Sequence, residues 1–162
     1  MLLILLIATG VVALCVRAAQ RPFKNVGPEG VRNFLAGLLK RGHDGAFVVF
    51  TEPSTGRFLQ FVKRVGPGQT LGLTLRFPNA PWSREYVEPL KALLRRRGVV
   101  YALTPVPTPP TTEFIDVECG DDVEMAAGLI ADVFGAVFGR NDAPLLHVKT
   151  WNISPRDEWV DE

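Results

Sequence analysis

Between Ala46 and Phe77 three apolar runs, Ala46–Thr51, Arg57–Val65 and Thr70–Phe77, are separated only by Glu52-Pro53-Ser54-Thr55-Gly56 and Gly66-Pro67-Gly68. Connections this short join neighbouring antiparallel strands, so the stretch predicts a β-meander. The first run is apolar at both parities, which predicts a central strand with both faces covered. The second puts Leu59 and Phe61 on one face and Phe58 and Val62 on the other. The third alternates, with Leu71, Leu73, Leu75 and Phe77 inward and Thr70, Gly72, Thr74 and Arg76 outward. Thr70, Thr74 and Arg76 are therefore the meander positions offered to a partner.

Helical patterns flank the meander. Val31, Phe34, Leu35, Leu38 and Leu39 form the i, i+3, i+4, i+7, i+8 stripe of a helix over Val31–Arg41, stopped by Gly42. A second helix over Ser83–Arg97 carries Tyr86, Leu90, Leu93 and Leu94, with Ser83 as N-cap and Pro89 marking either a kink or a start near Glu88. Arg95-Arg96-Arg97 before Gly98 suits a helix C-terminus, and with no interleaved aromatic residue it does not make a nucleic-acid patch. A third helix over Asp121–Phe138 buries Ala126, Leu129, Ile130, Val133, Phe134, Val137 and Phe138. Asp121 and Glu124 form its capping box. Ala127, Ala131, Gly135 and Gly139 give that helix a stripe of small residues, suited to close approach by the domain's own sheet or first helix. Val99–Leu103 and Thr112–Val117 read as strands, and Leu145–Ile153 as a final edge strand. The proline-rich Thr104–Thr111 between the first two reads as a stiff connection that joins no ladder, with a proline-recognition ligand as the rival reading.

The resulting architecture is an α+β domain in the order α-β-β-β-α-β-β-α, with a five- or six-stranded antiparallel sheet and one N-terminal transmembrane helix. Residues 1–19 read as the anchor, 20–29 as a connector, 30–153 as the domain and 154–162 as an acidic tail. Met1–Val16 has no charged side chain, and 19 residues at about 1.5 Å each reach about 28 Å, enough to cross a bilayer core with Arg17 at the headgroups. Arg17, Arg21 and Lys24 follow it as membrane-proximal cations and place the domain in the cytoplasm. A cleaved signal peptide and an exported domain are the rival reading, which the absence of basic residues before the apolar run and the poor Val16-Arg17-Ala18 site disfavour.

Composition adds one feature. The net charge of +1 conceals a basic half: residues 1–97 hold 15 Lys/Arg against 5 Asp/Glu, and residues 98–162 hold 3 against 12. Either the halves present opposite faces to a partner or they interleave and their charges pair. The chemistry of an enzyme is missing from the motifs. Cys15 and Cys119 are isolated, His43 and His147 belong to no motif, and no nucleophile elbow, phosphate loop or metal-ligand spacing occurs. Asp116, Glu118, Asp121, Asp122 and Glu124 are dense but lack the spacing of a calcium loop, and helix capping accounts for them. No catalytic, cofactor-binding or metal-binding residue is assigned. The rival is a small-ligand or enzymatic domain whose dispersed site brings His43 to the carboxylates near Asp116.

The element order resembles that of class I type III secretion chaperones and of the related YbjN-like and TY-Chap domains. Gly56-Arg57-Phe58-Leu59-Gln60-Phe61 and Gly135-Ala136-Val137-Phe138-Gly139 are similar to TY-Chap strand and terminal-helix phrases, over residues 30–140. The resemblance implies a non-enzymatic, cofactor-free module that binds a segment of another protein, commonly as a homodimer. Joined to the anchor, it gives a membrane-tethered cytoplasmic interaction domain, binding by strand addition at an exposed edge or by groove docking.

Overall fold

The structure is a computed structural model and describes residues 24–65, 72–106, 113–140 and 145–154. Strand β1 (Lys24–Val26) is followed by helix α1 (Pro28–Arg41) and by the meander strands β2 (Gly42–Thr51), β3 (Phe58–Arg64) and β4 (Gly72–Asn79). Helix α2 (Arg84–Arg96), strands β5 (Ala102–Pro105) and β6 (Glu113–Gly120), helix α3 (Val123–Asp132) with a π-helical turn over Val133–Val137, and strand β7 (Leu146–Ile153) complete the order. The seven strands pair antiparallel in the order β1-β7-β2-β3-β4-β6-β5.

This corrects the predicted fold in three respects. First, β1 and β7 extend the eight-element order, and β7 lies inside the sheet between β1 and β2 instead of at its edge. Three residues carry no periodicity, so β1 is defined only by its pairing with β7, 120 or more positions along the chain. Second, Thr104 and Pro105 do join a ladder, opposite Phe114 and Glu113. A sheet edge tolerates the proline because only one side of the strand is paired. Third, no helix among the described residues is long and apolar enough to cross a membrane. The predicted span over residues 1–19 lies outside them, so the architecture supported is the seven-stranded α+β domain alone.

Local chemistry sets the ends of the helices. Pro28 opens α1 at a position where the missing N–H costs nothing, and the Gly42 N–H closes it on the Leu38 carbonyl. Lys63, buried on β3, donates its ammonium to the Leu39 carbonyl, so a cation sits at the negative end of α1. Ser83 precedes α2 without capping it. Its hydroxyl accepts from the Ala80 N–H and donates to the Pro78 carbonyl, tying the turn after β4. Pro89 falls within α2 on its exposed side, where water can reach the carbonyl it leaves without a donor. Asp122 caps α3 by accepting the Met125 N–H at 2.8 Å, one residue later than the pattern predicts.

All three helices cover one face of the sheet. The inward residues of the strands, among them Val48, Phe50, Leu59, Phe61, Leu73, Leu75, Phe77, Ile115, Val117 and Val148, share one buried core with Leu35, Leu38, Leu90, Leu94, Ile130 and Phe134 of the helices. Burial of each large side chain contributes about 1.5–3 kcal/mol. The basic and acidic halves interleave, because β4 lies beside β6 and β7 beside β2. Their charges accordingly pair across the fold: Arg32 with Glu124, Arg64 and Arg76 with Asp116, and Arg97 with Asp132.

Candidate functional site

With the helices on one side, the residues of opposite parity form a face that no described element covers. The strand register arranges them in rows. Trp151, Phe47, Val62, Thr74 and Glu118 are successive neighbours across β7, β2, β3, β4 and β6. The next row runs Lys149, Val49, Gln60, Arg76, Asp116 and Ala102, from β7 to β5. A third holds His147, Thr51 and Phe58, with Pro78, Phe114 and Thr104 on the far strands.

An antiparallel sheet with one solvated face ordinarily places polar residues there. Here Phe47, Val49, Phe58, Phe114 and Trp151 are only half-buried. The first meander strand is therefore fully covered on one face only, not on both as its apolar run predicts. Ala46, Val48 and Phe50 are buried under the helices, whereas Phe47 and Val49 point to the open face. Phe47 stacks on Trp151 with ring centres 5.7 Å apart and planes 14° from parallel. Trp82, 39% exposed in the turn before α2, lies 4.8 Å from Phe58 and extends the apolar surface at the end of the sheet. Flat aromatic surfaces of this kind supply large contact area at low conformational cost.

Polar order on the face centres on Asp116, a residue with only 6% exposure. Arg76 Nε donates to Oδ1 and its Nη2 to Oδ2, both at 2.9 Å, a bidentate pair. Arg64 Nη2 at 3.3 Å and the Thr104 hydroxyl at 2.8 Å also donate to Oδ2. Burial pushes the Asp116 carboxyl upward, but the hydrogen bonds from Arg76 and Thr104 and the charges of Arg76 and Arg64 outweigh it and hold the group below its ordinary range. A carboxylate that is ionised and accepts from four donors is a fixed locking element within the sheet. It has little capacity left to act as a base. The Arg76 guanidinium also lies 4.9 Å from the centre of the Phe114 ring, joining the charged centre to the apolar surface by a cation–π contact.

Of the meander positions offered to a partner, Arg76 stands at this centre. Thr74 shares the face but is buried, at 4% exposure, between Val62 and Glu118. Thr70, Arg17 and Arg21 lie outside the described residues, and Lys24 begins β1. His43 is not brought to Asp116. It sits on β2, its Nε2 3.0 Å from the Ser154 hydroxyl, and β3 and β4 intervene before β6, a separation of about 14 Å at the spacing of neighbouring strands. The other carboxylates disperse into separate roles: Asp122 caps α3, Glu124 pairs with Arg32, and Glu118 and Asp121 are exposed. Cys119 is buried, and burial pushes its thiol up to about 11, so the reactive thiolate is scarce at neutral pH. Cys15 lies outside the described residues.

The small-residue stripe of α3, facing α1, is not closely packed as predicted: a Cβ at Gly135 would meet only the Arg140 carbonyl, at 3.6 Å, and Ala131 is exposed. Ala127, Ala131 and Gly135 border a cavity of about 440 Å³ between the two helices, with Val31, Ile130, Phe134 and Leu146 as its apolar lining and the Arg32–Glu124 pair at its rim.

Two buried carboxylates escape sequence reasoning. Glu52, 1% exposed, accepts from Ser54 and Thr55 in the β2–β3 turn and pairs with Arg140 at 3.0 Å, which fastens the turn to the segment after the π-helical turn. Asp116 is the other, and its signal is the isolated charge in Ile115-Asp116-Val117, where a strand otherwise buries its neighbours. No family model, curated protein or solved structure matches the chain.

Proposed function

We propose that this chain is a protein-binding module that takes a segment of another protein on the sheet face opposite its helices. The observation that carries this reading is the half-buried aromatic surface of Phe47, Trp151, Phe58 and Phe114 around the Arg64–Asp116–Arg76 centre, on a face left uncovered by described elements. Contiguous exposed apolar surface bordered by polar groups marks protein interaction sites. Aromatic residues and arginine are also the side chains that contribute most at their centres. The apolar row receives side chains of the bound segment, and the arginines offer donors to its carbonyl or carboxylate oxygens. The reading agrees with the non-enzymatic, chaperone-like role that the resemblance implies.

The test uses the full chain as bait in its native extract, with captured proteins identified by mass spectrometry. Replacing both Phe47→Ala and Trp151→Ala is expected to lower capture of one defined partner at least about tenfold, the ratio for about 1.4 kcal/mol of lost binding, with the far-ultraviolet circular dichroism unchanged. Capture equal to that of the unaltered chain would remove the open face from the function.

A further inference from the structure

The third row of the open face sets two aromatic side chains on either side of a proline. The register that pairs Gln60 with Arg76 brings Phe58 level with Pro78, and Pro78 pairs with Phe114 on β6. Phe58 and Phe114 therefore stand two strands apart, about 9.6 Å at the usual strand spacing. All three are half-buried, so the rings form two ledges with Pro78 as the floor between them. Trp82 lies against Phe58 and widens the ledge on that side. We infer that these ledges bind a proline-rich, acidic segment of the partner protein in the polyproline II conformation, laid across the strands. The inference rests on the protein-binding reading above and names the class of segment that the open face takes.

Three observations carry it. The first is the spacing. A polyproline II segment repeats every three residues, about 9.3 Å, so prolines at i and i+3 meet Phe58 and Phe114 in turn. Aromatic surfaces receive such segments well because their extended form is set before binding and little freedom is lost. The second is the state of the backbone. Strands β3, β4 and β6 are each paired on both sides, so a segment lying on their face finds no backbone partner. An ordinary extended segment would bury N–H groups there without acceptors, whereas proline has none to bury. The indole N–H of Trp82 supplies a donor for one ligand carbonyl.

The third observation is charge. Arg76 and Arg64 share the single carboxylate of Asp116, which leaves this centre one positive charge in excess. The Arg76 guanidinium lies 4.9 Å from the centre of the Phe114 ring, so that charge stands at the second ledge. An acidic side chain between the two prolines complements it. The same requirement argues against a second copy as the occupant. Pro107 and Pro110 of this chain have the spacing, but no residue from Pro105 to Thr112 is acidic.

The probe is a blocked nonapeptide of three Pro-Glu-Pro repeats, titrated into the full chain by isothermal calorimetry. Its prolines recur at i and i+3, and its glutamates share one edge of the helix. The expected result is saturable binding that weakens at least about tenfold on Trp82→Ala, on replacing the probe's prolines with alanine, and on replacing its glutamates with lysine. Trp82 is 39% exposed in a turn, so its truncation is expected to leave the fold intact. Phe58→Leu, which keeps an apolar side chain in the sheet, is the second variant and is expected to weaken binding about threefold. Four results would each overturn the proposal: no saturable binding, equal binding of the alanine or lysine peptide, binding that both variants leave unchanged, or self-association of the chain that Pro107→Ala abolishes, which would give the ledges to a second copy. Absent probe binding, together with partner capture lost in the Phe47/Trp151 variant, would count against the proline-rich segment alone. Probe binding lost on Trp82→Ala, together with undiminished capture by the Phe47/Trp151 variant, would support the ledges and count against the wider face.

Discussion

Asp116→Ala is expected to lower the unfolding free energy by about 2–3 kcal/mol at neutral pH. The substitution leaves the Arg76 and Arg64 guanidinium groups side by side without their shared counter-ion, and deprives the Thr104 hydroxyl of its acceptor. Removing one member of a fully buried pair costs about 3–5 kcal/mol, because the remaining charge is stranded. Here the arginine side chains keep 24% and 34% of their exposure, so water recovers part of the loss. The effect depends on pH with a definite sign. A carboxyl held below its unfolded value of about 3.9 contributes stability that is fully present above that value and disappears as pH falls through the folded one. Urea unfolding from pH 7 to pH 3 is therefore expected to show the two proteins converging at the acid end. A constant difference across the range would mean that packing, not charge, accounts for the loss.

Gly72→Ala is expected to cost about 3 kcal/mol or more, although the strand alternation alone gives no reason for glycine at this outward position. A Cβ there would lie 2.5 Å from the backbone C, Cα and O of Gly120. The obstacle is main chain, which cannot rotate away. It lies where the β4–β6 register shifts between Leu73 and Thr74 and where Gly120 takes a φ of +60° to turn toward α3. Relief requires separating two central strands, and overpacking of that kind typically costs about 1–3 kcal/mol even where side chains can adjust. Gly135→Ala is the contrast, since its Cβ meets only the Arg140 carbonyl at 3.6 Å and alanine favours the helix. The check is the urea midpoint at unchanged slope for both variants. Equal midpoints would show that β6 gives way at Gly120.

The meander was legible because its three strands are consecutive and their turns are written in Pro, Gly and Ser. The helices were legible from stripes of 3.6-residue period. What lay beyond reach depends on contacts distant in the chain. Residues 24–26 become a strand only by lying against Leu146–Val148, and Leu146–Ile153 becomes interior only because they do. Periodicity also tells which parity of a strand is buried, but not on which side the helices collect. For that reason Phe47 and Val49 read as core, when the three helices all take the side of Val48. Asp116 looked like one member of an acidic cluster near a helix start. Its partners Thr104, Arg76 and Arg64 stand 12, 40 and 52 residues away, and only the sheet register brings them together. Thr74, alternating cleanly with leucines, read as exposed because the sequence does not show that Val62 and Glu118 flank it across the sheet.

The central claim is that the helix-free face is where a protein segment binds, and site-specific photo-crosslinking in cells expressing the full chain tests it most directly. A benzophenone side chain is placed at Val49, in the middle of that face, and for comparison at Arg95, which is exposed on α2 among the helices. The predicted result is a discrete adduct from position 49, mapped by mass spectrometry to one contiguous segment of a single protein and abolished by Trp151→Ala, with no such adduct from position 95. Adducts from position 95 alone, or the same products from both positions, would contradict it.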